Sequence, residues 1–552
     1  MNPWLRRNGP LLILLLLTTL AYARLWWVGW SWDDEALILD NQVTGSLANI
    51  GEFFTRDLWG TTRLESLKSG YYRPLFLLSL AIDRALFDLS STAAHVHSLL
   101  WHLLVVVGLH GLIRKLVNPL AALTAATVFA LHPINSEVLA LVAARNDSMA
   151  AAMSLLAIWL VADRDFHPGR AAGAGLLFLG GLLSKESAVL APVMLLVLDL
   201  ARYRRPGSLL RYLPFVASAV IYLGLRSLAE INEGIVPGSS SYTFIVERST
   251  EIIALYGRLL VWPWPLSPAR HVNYLPDIAT NLPGLIVFCG LIIAAVVKSW
   301  RAREHTALVI VGLLWAGLAF APSLAATLDK GLLGERYLYF ALAGLALTMA
   351  AALPRPPRWL APVIAIPCIS MLQLRLPEWQ DSRTVWEAAH RVSPSPFTGA
   401  GLGWYYHRDK ELEQALPLLV LALEGDPPYR DVCDLIVSAH IEAKQTRAAV
   451  EIAEWAIEER GCPARGLIID HHALALAGSG RWEDAVTVAL TQPGGPQGIG
   501  LVVLAAAQAR RGNLSAVQAG AYLNQDPDFA RRVAQLLKLG GEPQLAAKLL
   551  GG

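Results

Sequence analysis

Residues 10–35 read PLLILLLLTTLAYARLWWVGWSWDDE. The apolar run from Pro10 to Trp30 is long enough to cross about 30 Å of hydrocarbon at roughly 1.5 Å per residue. Arg6 and Arg7 precede it, and Asp33-Asp34-Glu35 come almost directly after it. Lys and Arg mark cytoplasmic loops, so the acidic triplet is expected on the outer side. Ala21-Tyr22-Ala23 also fits a signal-peptidase site, which leaves a cleaved leader as an alternative. In both cases the acidic triplet is exported.

Further apolar runs lie near 95–116, 118–132, 148–163, 170–184, 187–201, 208–228, 282–298, 306–325, 337–353 and 359–376. With the first, they make about 11 spans. The loops placed inside by this register carry Arg114/Lys115, Arg164/Arg170, Arg202/Arg204/Arg205, Lys298/Arg301/Arg303 and Arg355/Arg358. Every one is basic, as the positive-inside rule requires. An odd count sends the tail outside. The large outer loops are then 31–94 and 229–281. Within the first, the apolar stretch after Tyr72-Arg73-Pro74-Leu75 is broken by Asp83 and Arg84, which reads as an interfacial helix or a spanning hairpin.

Composition agrees with a polytopic membrane protein. Of 552 residues 54% are hydrophobic and 16% charged, and the mean hydropathy is +0.43. Soluble domains carry about 25% charged residues. A net charge of +2 offers no basic footprint for nucleic acid. Cys289 and Cys368 sit in apolar runs as small core residues. Cys433 and Cys462 could pair if the tail meets an oxidising compartment.

From about residue 377 charges rise and long apolar runs end. The chain therefore divides into a membrane domain, 1–376, and an exported helical domain, 377–552. In the tail a helical pattern recurs at about 34 residues, with Ala415, Ala449 and Ala485 after turn-like segments. Gly403-Trp404-Tyr405-Tyr406 and Gly480-Arg481-Trp482-Glu483-Asp484-Ala485 fit tetratricopeptide repeats, whose small residues let paired helices pack closely. The expected fold class is all-α: a membrane bundle followed by an α-solenoid that offers a curved surface to peptide.

Ionisable groups near hydrocarbon are expensive and mark working sites. Here they recur at the outer turns: Asp33-Asp34-Glu35, His132 to Glu137, Arg145-Asn146-Asp147, Lys185-Glu186, Arg270-His271 and Glu335-Arg336-Tyr337. Snorkelling and helix-end pairing explain any one of these clusters. They do not explain acidic and basic groups together at one face, while the inner loops hold simple basic anchors. The pattern points to one shared outer site.

Trp32-Asp33-Asp34-Glu35, Tyr72-Arg73-Pro74-Leu75, His132-Pro133 with Glu137, Arg145-Asn146-Asp147, Ser184-Lys185-Glu186, Glu335-Arg336-Tyr337-Leu338-Tyr339 and Trp379-Gln380-Asp381-Ser382 occur in that order. This resembles the transmembrane and tetratricopeptide-repeat-containing O-mannosyltransferases of the GT-C glycosyltransferase superfamily. The family often reads Gly-Arg-Ala-Asp where this chain has Ala144-Arg145-Asn146-Asp147, and the repeat array here is short.

The resemblance implies transfer of a sugar, mannose or another hexose, from a polyprenyl-phosphate donor to a Ser/Thr hydroxyl of exported proteins, with inversion. Arg greatly outnumbers Lys, which hints at a GC-rich bacterial genome, so the expected location is a bacterial inner membrane with the site and repeats on the periplasmic face. A phosphate leaving group needs no proton, so such a site needs a base near the acceptor and positive charge near the phosphate. Asp34 or Asp33 is the expected base, with Glu35 beside them. Arg73, Arg145, Lys185 and Arg336 are expected at the phosphate. His132, Glu137, Asp147, Glu186 and Tyr337 are expected to orient acceptor or base. A divalent cation, Mg or Mn, shared by Asp34, Glu137 and Asp147 is left open. Other readings are transfer to a surface glycan or lipid, a non-catalytic scaffold, and a transporter. The last would show charges at mid-membrane and repeat symmetry among the spans.

Overall fold

The structure, a computed structural model, describes residues 3–62, 70–163, 165–204, 208–229, 242–303, 305–425, 430–462, 466–491, 499–512 and 529–550. Arg205, Arg164 and residues 230–241 of the second large loop lie outside these. The described chain is helical apart from an antiparallel pair of two-residue strands, Arg270–His271 against Leu332–Leu333. Contacts divide it into two compact units, Met1–Ser393 and Pro394–Gly552. The first extends past the composition change at 376, because the segment after it packs into the bundle.

The first unit contains α1 (Pro3–Ala21), α2 (Pro74–Phe87), α3 (Ser91–Leu116), α4 (Pro119–Leu131), α5 (Arg145–Val161), α6 (Pro168–Ser184) and α7 (Leu190–Tyr203). It continues with α8 (Leu213–Leu228), α9 (Tyr242–Val261), α10 (Ile278–Ala302), α11 (Thr306–Lys330), α12 (Tyr339–Ala352), α13 (Leu360–Arg375) and α14 (Ser382–Val392). Local chemistry sets many of the starts. Pro74, Pro119 and Pro168 stand in the first turn, where the missing N–H costs nothing. Ser90, Asn118 and Asp381 each accept from a backbone amide in the first turn of the next helix, and such caps contribute about 1 kcal/mol each. Gly312 and Gly344 let α11 and α12 cross closely: a Cβ on Gly312 would lie 2.6 Å from the Gly344 carbonyl oxygen. Such small-residue contacts are how membrane helices pack.

A helix covers each expected span, yet fewer qualify as spans. Among the described residues six are long and apolar enough to cross: Arg7–Trp27, Ser91–Leu116, Leu209–Leu228, Ile278–Ala302, Thr306–Leu328 and Leu360–Trp379. Pro133–Ala140 with Val142–Val161, bent by 103°, makes a seventh if counted as one broken span. The other expected spans are the shorter helices α4, α6, α7 and α12, of 13, 17, 14 and 14 residues, which reach only about 20 to 26 Å. Most residues of α4 and α12 are buried by neighbouring helices, so these two need not match the bilayer. The outward faces of α8 and α10 expose Val220, Leu223, Ile286, Leu291 and Ile293, an apolar surface suited to lipid rather than water.

The two ends of the bundle differ. At one end Lys115 Nζ reaches Asp163 (2.8 Å), Arg170 reaches the same carboxylate (3.1 Å) and Arg211 pairs with Asp199. Asn118 bonds the Pro354 carbonyl there (2.7 Å). This is where the basic loops were expected. The opposite end gathers the turns after α1, before α5, after α6 and before α12, and α13 delivers the chain to that same end.

The second unit is built of helix pairs joined by short turns: Pro396–Arg408 with Leu412–Leu423, Arg430–Glu442 with Thr446–Glu458, and Leu467–Gly478 with Trp482–Leu490. Ile499–Arg510, Phe529–Leu539 and Pro543–Leu549 come next. Each pair packs on the next around a core that includes Ala415, Ala449, Ala453, Ala485 and Leu476. Gly403 faces Leu419, whose side chain would lie 2.8 Å from an added Cβ. Cys433 and Cys462 form a disulfide.

Candidate active site

Asp34 is fully buried. Its carboxylate accepts from the backbone N–H of Ala143 (2.7 Å), Val142 (3.3 Å) and Ser31 (3.4 Å). Burial pushes its carboxyl up to about 7, against those amides, with the Asp33 charge adding to the rise. Asp34 thus ties the loop after α1 to the turn before α5. Asp33, half-buried, accepts no hydrogen bond among the described residues. Burial raises its carboxyl too, and the Arg336 guanidinium opposes the rise. Glu35 accepts from Ser382 Oγ (2.5 Å) and so serves as an anchor.

Asp33 acts on Arg336, and Lys185 feels both Arg336 and Arg73, so three cations share one electrostatic network. Arg336 binds the buried Glu137 through its guanidinium (Nη1–Oε1, 2.5 Å) and its backbone N–H (3.0 Å). Its guanidinium carbon lies 5.8 Å from the Trp32 ring and 5.5 Å from that of Tyr337, within cation–π range. Lys185 Nζ lies 2.5 Å from Asp147 Oδ1. Burial draws its ammonium down, and Asp147 opposes that. Arg73 holds Glu186 at 3.0 Å and stacks 4.2 Å over Tyr71. Burial pushes the Glu186 carboxyl up, but Arg73, a backbone amide and Lys185 together hold the group below its ordinary value. Asp147 also acts electrostatically on Arg73, Arg336 and Tyr337. Residues 33, 73, 137, 147, 185, 186, 336 and 337 therefore form one connected cluster at one end of the bundle.

Two expected site residues have their side chains committed to other partners. Arg145 is fully buried and committed: it binds Asp83 (2.6 Å), Ser98 (3.0 Å), Ser79 (3.2 Å) and the Ala94 carbonyl (2.9 Å). No face of its guanidinium is left for a phosphate, so it holds α2, α3 and α5 together. His132 caps the turn before Glu137, with Nδ1 on the Ile134 N–H (3.3 Å) and Nε2 at the Leu260 carbonyl (3.2 Å). The three carboxylates named for a shared divalent ion each have another partner. Asp34 is held by amides, Glu137 by Arg336 and Asp147 by Lys185, and no group of three metal-type ligands exists among the described residues.

Sequence reasoning misses the frame behind the cluster. Glu335, fully buried, is clamped by Arg270 (3.0 Å) and Arg375 (3.0 Å), and Arg375 also meets Glu378 (2.5 Å). Asp83 bonds His97 (2.6 Å) as well as Arg145. Asp83 and Glu378 interrupt or end apolar runs, and that is the signal the sequence carries.

The profile of the dolichyl-phosphate-mannose-protein mannosyltransferase family matches residues 73–227, which carry Arg73, Glu137, Asp147, Lys185 and Glu186. Protein O-mannosyl-transferase TMTC3 of Mus musculus is 29% identical over 129 residues, 23% of this chain and 14% of that protein. Protein O-mannosyl-transferase F38B6.6 of Caenorhabditis elegans is 25% identical over 199 residues (35% and 28%). Tmtc1 of Drosophila melanogaster is 28% identical over 253 residues (43% and 26%). The chain thus aligns with no more than 28% of the length of these three relatives. ArnT from Cupriavidus metallidurans, solved bound to undecaprenyl phosphate, aligns with 99% of this chain and 78% of its own at 13% identity and a TM-score of 0.38. The resemblance to protein O-mannosyl-transferases of the transmembrane, repeat-containing type is thus seen in aligned sequence as well as in motif order.

Proposed function

We propose that this protein is a membrane glycosyltransferase that moves a hexose, mannose by kinship, from a polyprenyl-phosphate donor to a Ser/Thr hydroxyl of exported proteins. The observation that carries this is the cluster itself. An untethered carboxylate, Asp33, stands beside Arg336, with Lys185 and Arg73 in the same electrostatic network, at one end of an apolar bundle. A lipid-borne phosphate reaches such a place without leaving the headgroup layer.

Asp33 takes the proton of the acceptor hydroxyl, and the freed oxygen attacks the anomeric carbon from the face opposite the phosphate. The bond from that carbon to the phosphate oxygen breaks, and the lipid phosphate departs unprotonated with a second negative charge. Lys185, Arg336 and Arg73 stabilise that charge. Attack from the opposite face inverts the anomeric centre. The sequence leaves Asp34 and Asp33 both open as base. The geometry favours Asp33, since Asp34 spends its oxygens on three backbone amides while Asp33 accepts from none among the described residues. Asp34, Glu137, Asp147 and Glu186 then position the reacting groups.

The site face is proposed to be the exported one, in a bacterial inner membrane. The basic residues of the opposite end and the Cys433–Cys462 bridge support this, because disulfides persist in oxidising compartments. The helix pairs of the second unit are proposed to bind acceptor polypeptide, as stacked helical repeats commonly do. Mass spectrometry of exported proteins with and without the gene tests the proposal. A hexose-sized shift on Ser or Thr should vanish on deletion; an unchanged exported proteome would contradict it.

A further inference from the structure

Trp32, immediately before the acidic pair, has φ of +52°. A bulky residue rarely adopts this left-handed conformation, and it persists where surrounding structure over-determines it. Its surroundings here come from about 350 residues away in sequence. The Gly29 N–H bonds the Gln380 carbonyl (2.8 Å), so close that a Cβ on Gly29 would lie 2.7 Å from that oxygen. The Trp32 N–H bonds Ser382 Oγ (2.8 Å), and the same hydroxyl donates to Glu35 Oε1 (2.5 Å). The Trp32 ring meets that of Trp386, with centroids 5.4 Å apart. Ser382 is buried at the first turn of α14, and its single hydroxyl is used in both directions.

The same segment also reaches the opposite side of the cluster. Arg375 joins Glu335, the neighbour of Arg336, to Glu378, and Glu378 in turn binds Arg391 in α14 (2.6 Å). Both walls of the site, the carboxylate wall at 33–35 and the cationic wall at 335–336, are thus fixed to residues 375–391.

We propose that Ser382, with Gln380 and Trp386, is a positioning residue that holds Trp32 in its left-handed turn and so aims Asp33 at the reacting hydroxyl. The segment after the last span is then the third wall of the site rather than a linker. This rests on the glycosyltransferase reading for its catalytic consequence but not for its structural one, and the experiment separates them.

The test uses the full chain in lipid nanodiscs with a synthetic polyprenyl-phosphate mannose. Ser382→Ala should lower kcat by roughly 10- to 100-fold, the cost of a small misalignment, while donor affinity holds because Lys185 and Arg73 are untouched. Hydrogen exchange at residues 29–35 should quicken while that of α3 and α5 stays as in the parent. Gly29→Ala, which pushes against Gln380 from the other side, should do the same if Ser382→Ala does not fold. Unchanged kcat and unchanged exchange in a folded variant would overturn the proposal. A parent protein that transfers no sugar would instead remove the function, and the exchange measurement would still decide the clamp.

Discussion

Lys185 and Asp147 face each other at 2.5 Å across the mouth of the bundle, the first at the exit of α6 and the second in the first turn of α5. Neither side chain is more than 17% exposed. In this low-dielectric setting burial draws the ammonium down and one carboxylate opposes that, and a phosphate entering the site would offer it a second anion. Lys185→Met should therefore weaken binding of a polyprenyl phosphate by roughly 10- to 100-fold, the worth of one charge-assisted hydrogen bond. Calorimetric titration checks this. An unchanged Kd would take Lys185 out of donor recognition.

Arg145 should behave differently, although both are basic residues beside acidic ones at the ends of apolar runs. Its partners Asp83, Ser79 and Ser98 are structural. Arg145→Met strands a buried Asp83, and breaking such a pair costs about 3–5 kcal/mol. The expected result is a lowered thermal midpoint with donor affinity unaltered in the protein that remains folded. A selective loss of donor affinity at full stability would return Arg145 to the phosphate site.

Glu335 neutralises two buried arginines at once. Glu335→Gln leaves the buried Arg270 facing an uncharged amide, while Arg375 keeps Glu378, and should cost about 3–5 kcal/mol by the same reasoning. Thermal unfolding in detergent measures it, with a fall of several degrees as the expected outcome.

The two adjacent carboxylates make a pH prediction. Burial raises both Asp33 and Asp34, the latter to about 7, with the Asp33 charge contributing. A raised carboxyl takes up its proton as pH falls through the raised value, so transfer should decline on acidification well above the ordinary carboxylate range. The Arg336 guanidinium opposes the rise in Asp33, so Arg336→Gln should move the acidic limb of the kcat/KM profile to higher pH. A limb that stays in place would show that Asp33 is not the titrating base.

Much of the site was legible because charges at the ends of apolar runs are expensive. Asp33, Lys185, Glu186 and Arg336 stood out for that reason, and the structure brings them together. Arg145 fitted the same pattern, but its partner Asp83 lies in a stretch read as interfacial, so its burial was invisible. The choice between Asp33 and Asp34 turns on amides at residues 142 and 143, and no spacing rule reports a backbone donor from so distant a part of the chain. Apolarity alone does not distinguish a helix sheathed by protein, such as α4 or α12, from one that faces lipid. The grip of Ser382 on Trp32 depends on a left-handed turn at a tryptophan, a conformation its side chain does not advertise.

The assignment of Asp33 as the base stands or falls on the transfer rate of Asp33→Asn at saturating polyprenyl-phosphate mannose, measured beside Asp34→Asn. Loss of a general base lowers a rate by about 10² to 10⁴. A fall of that size is expected in Asp33→Asn with donor Kd unchanged, and a smaller fall in Asp34→Asn. Full activity in Asp33→Asn would contradict the mechanism.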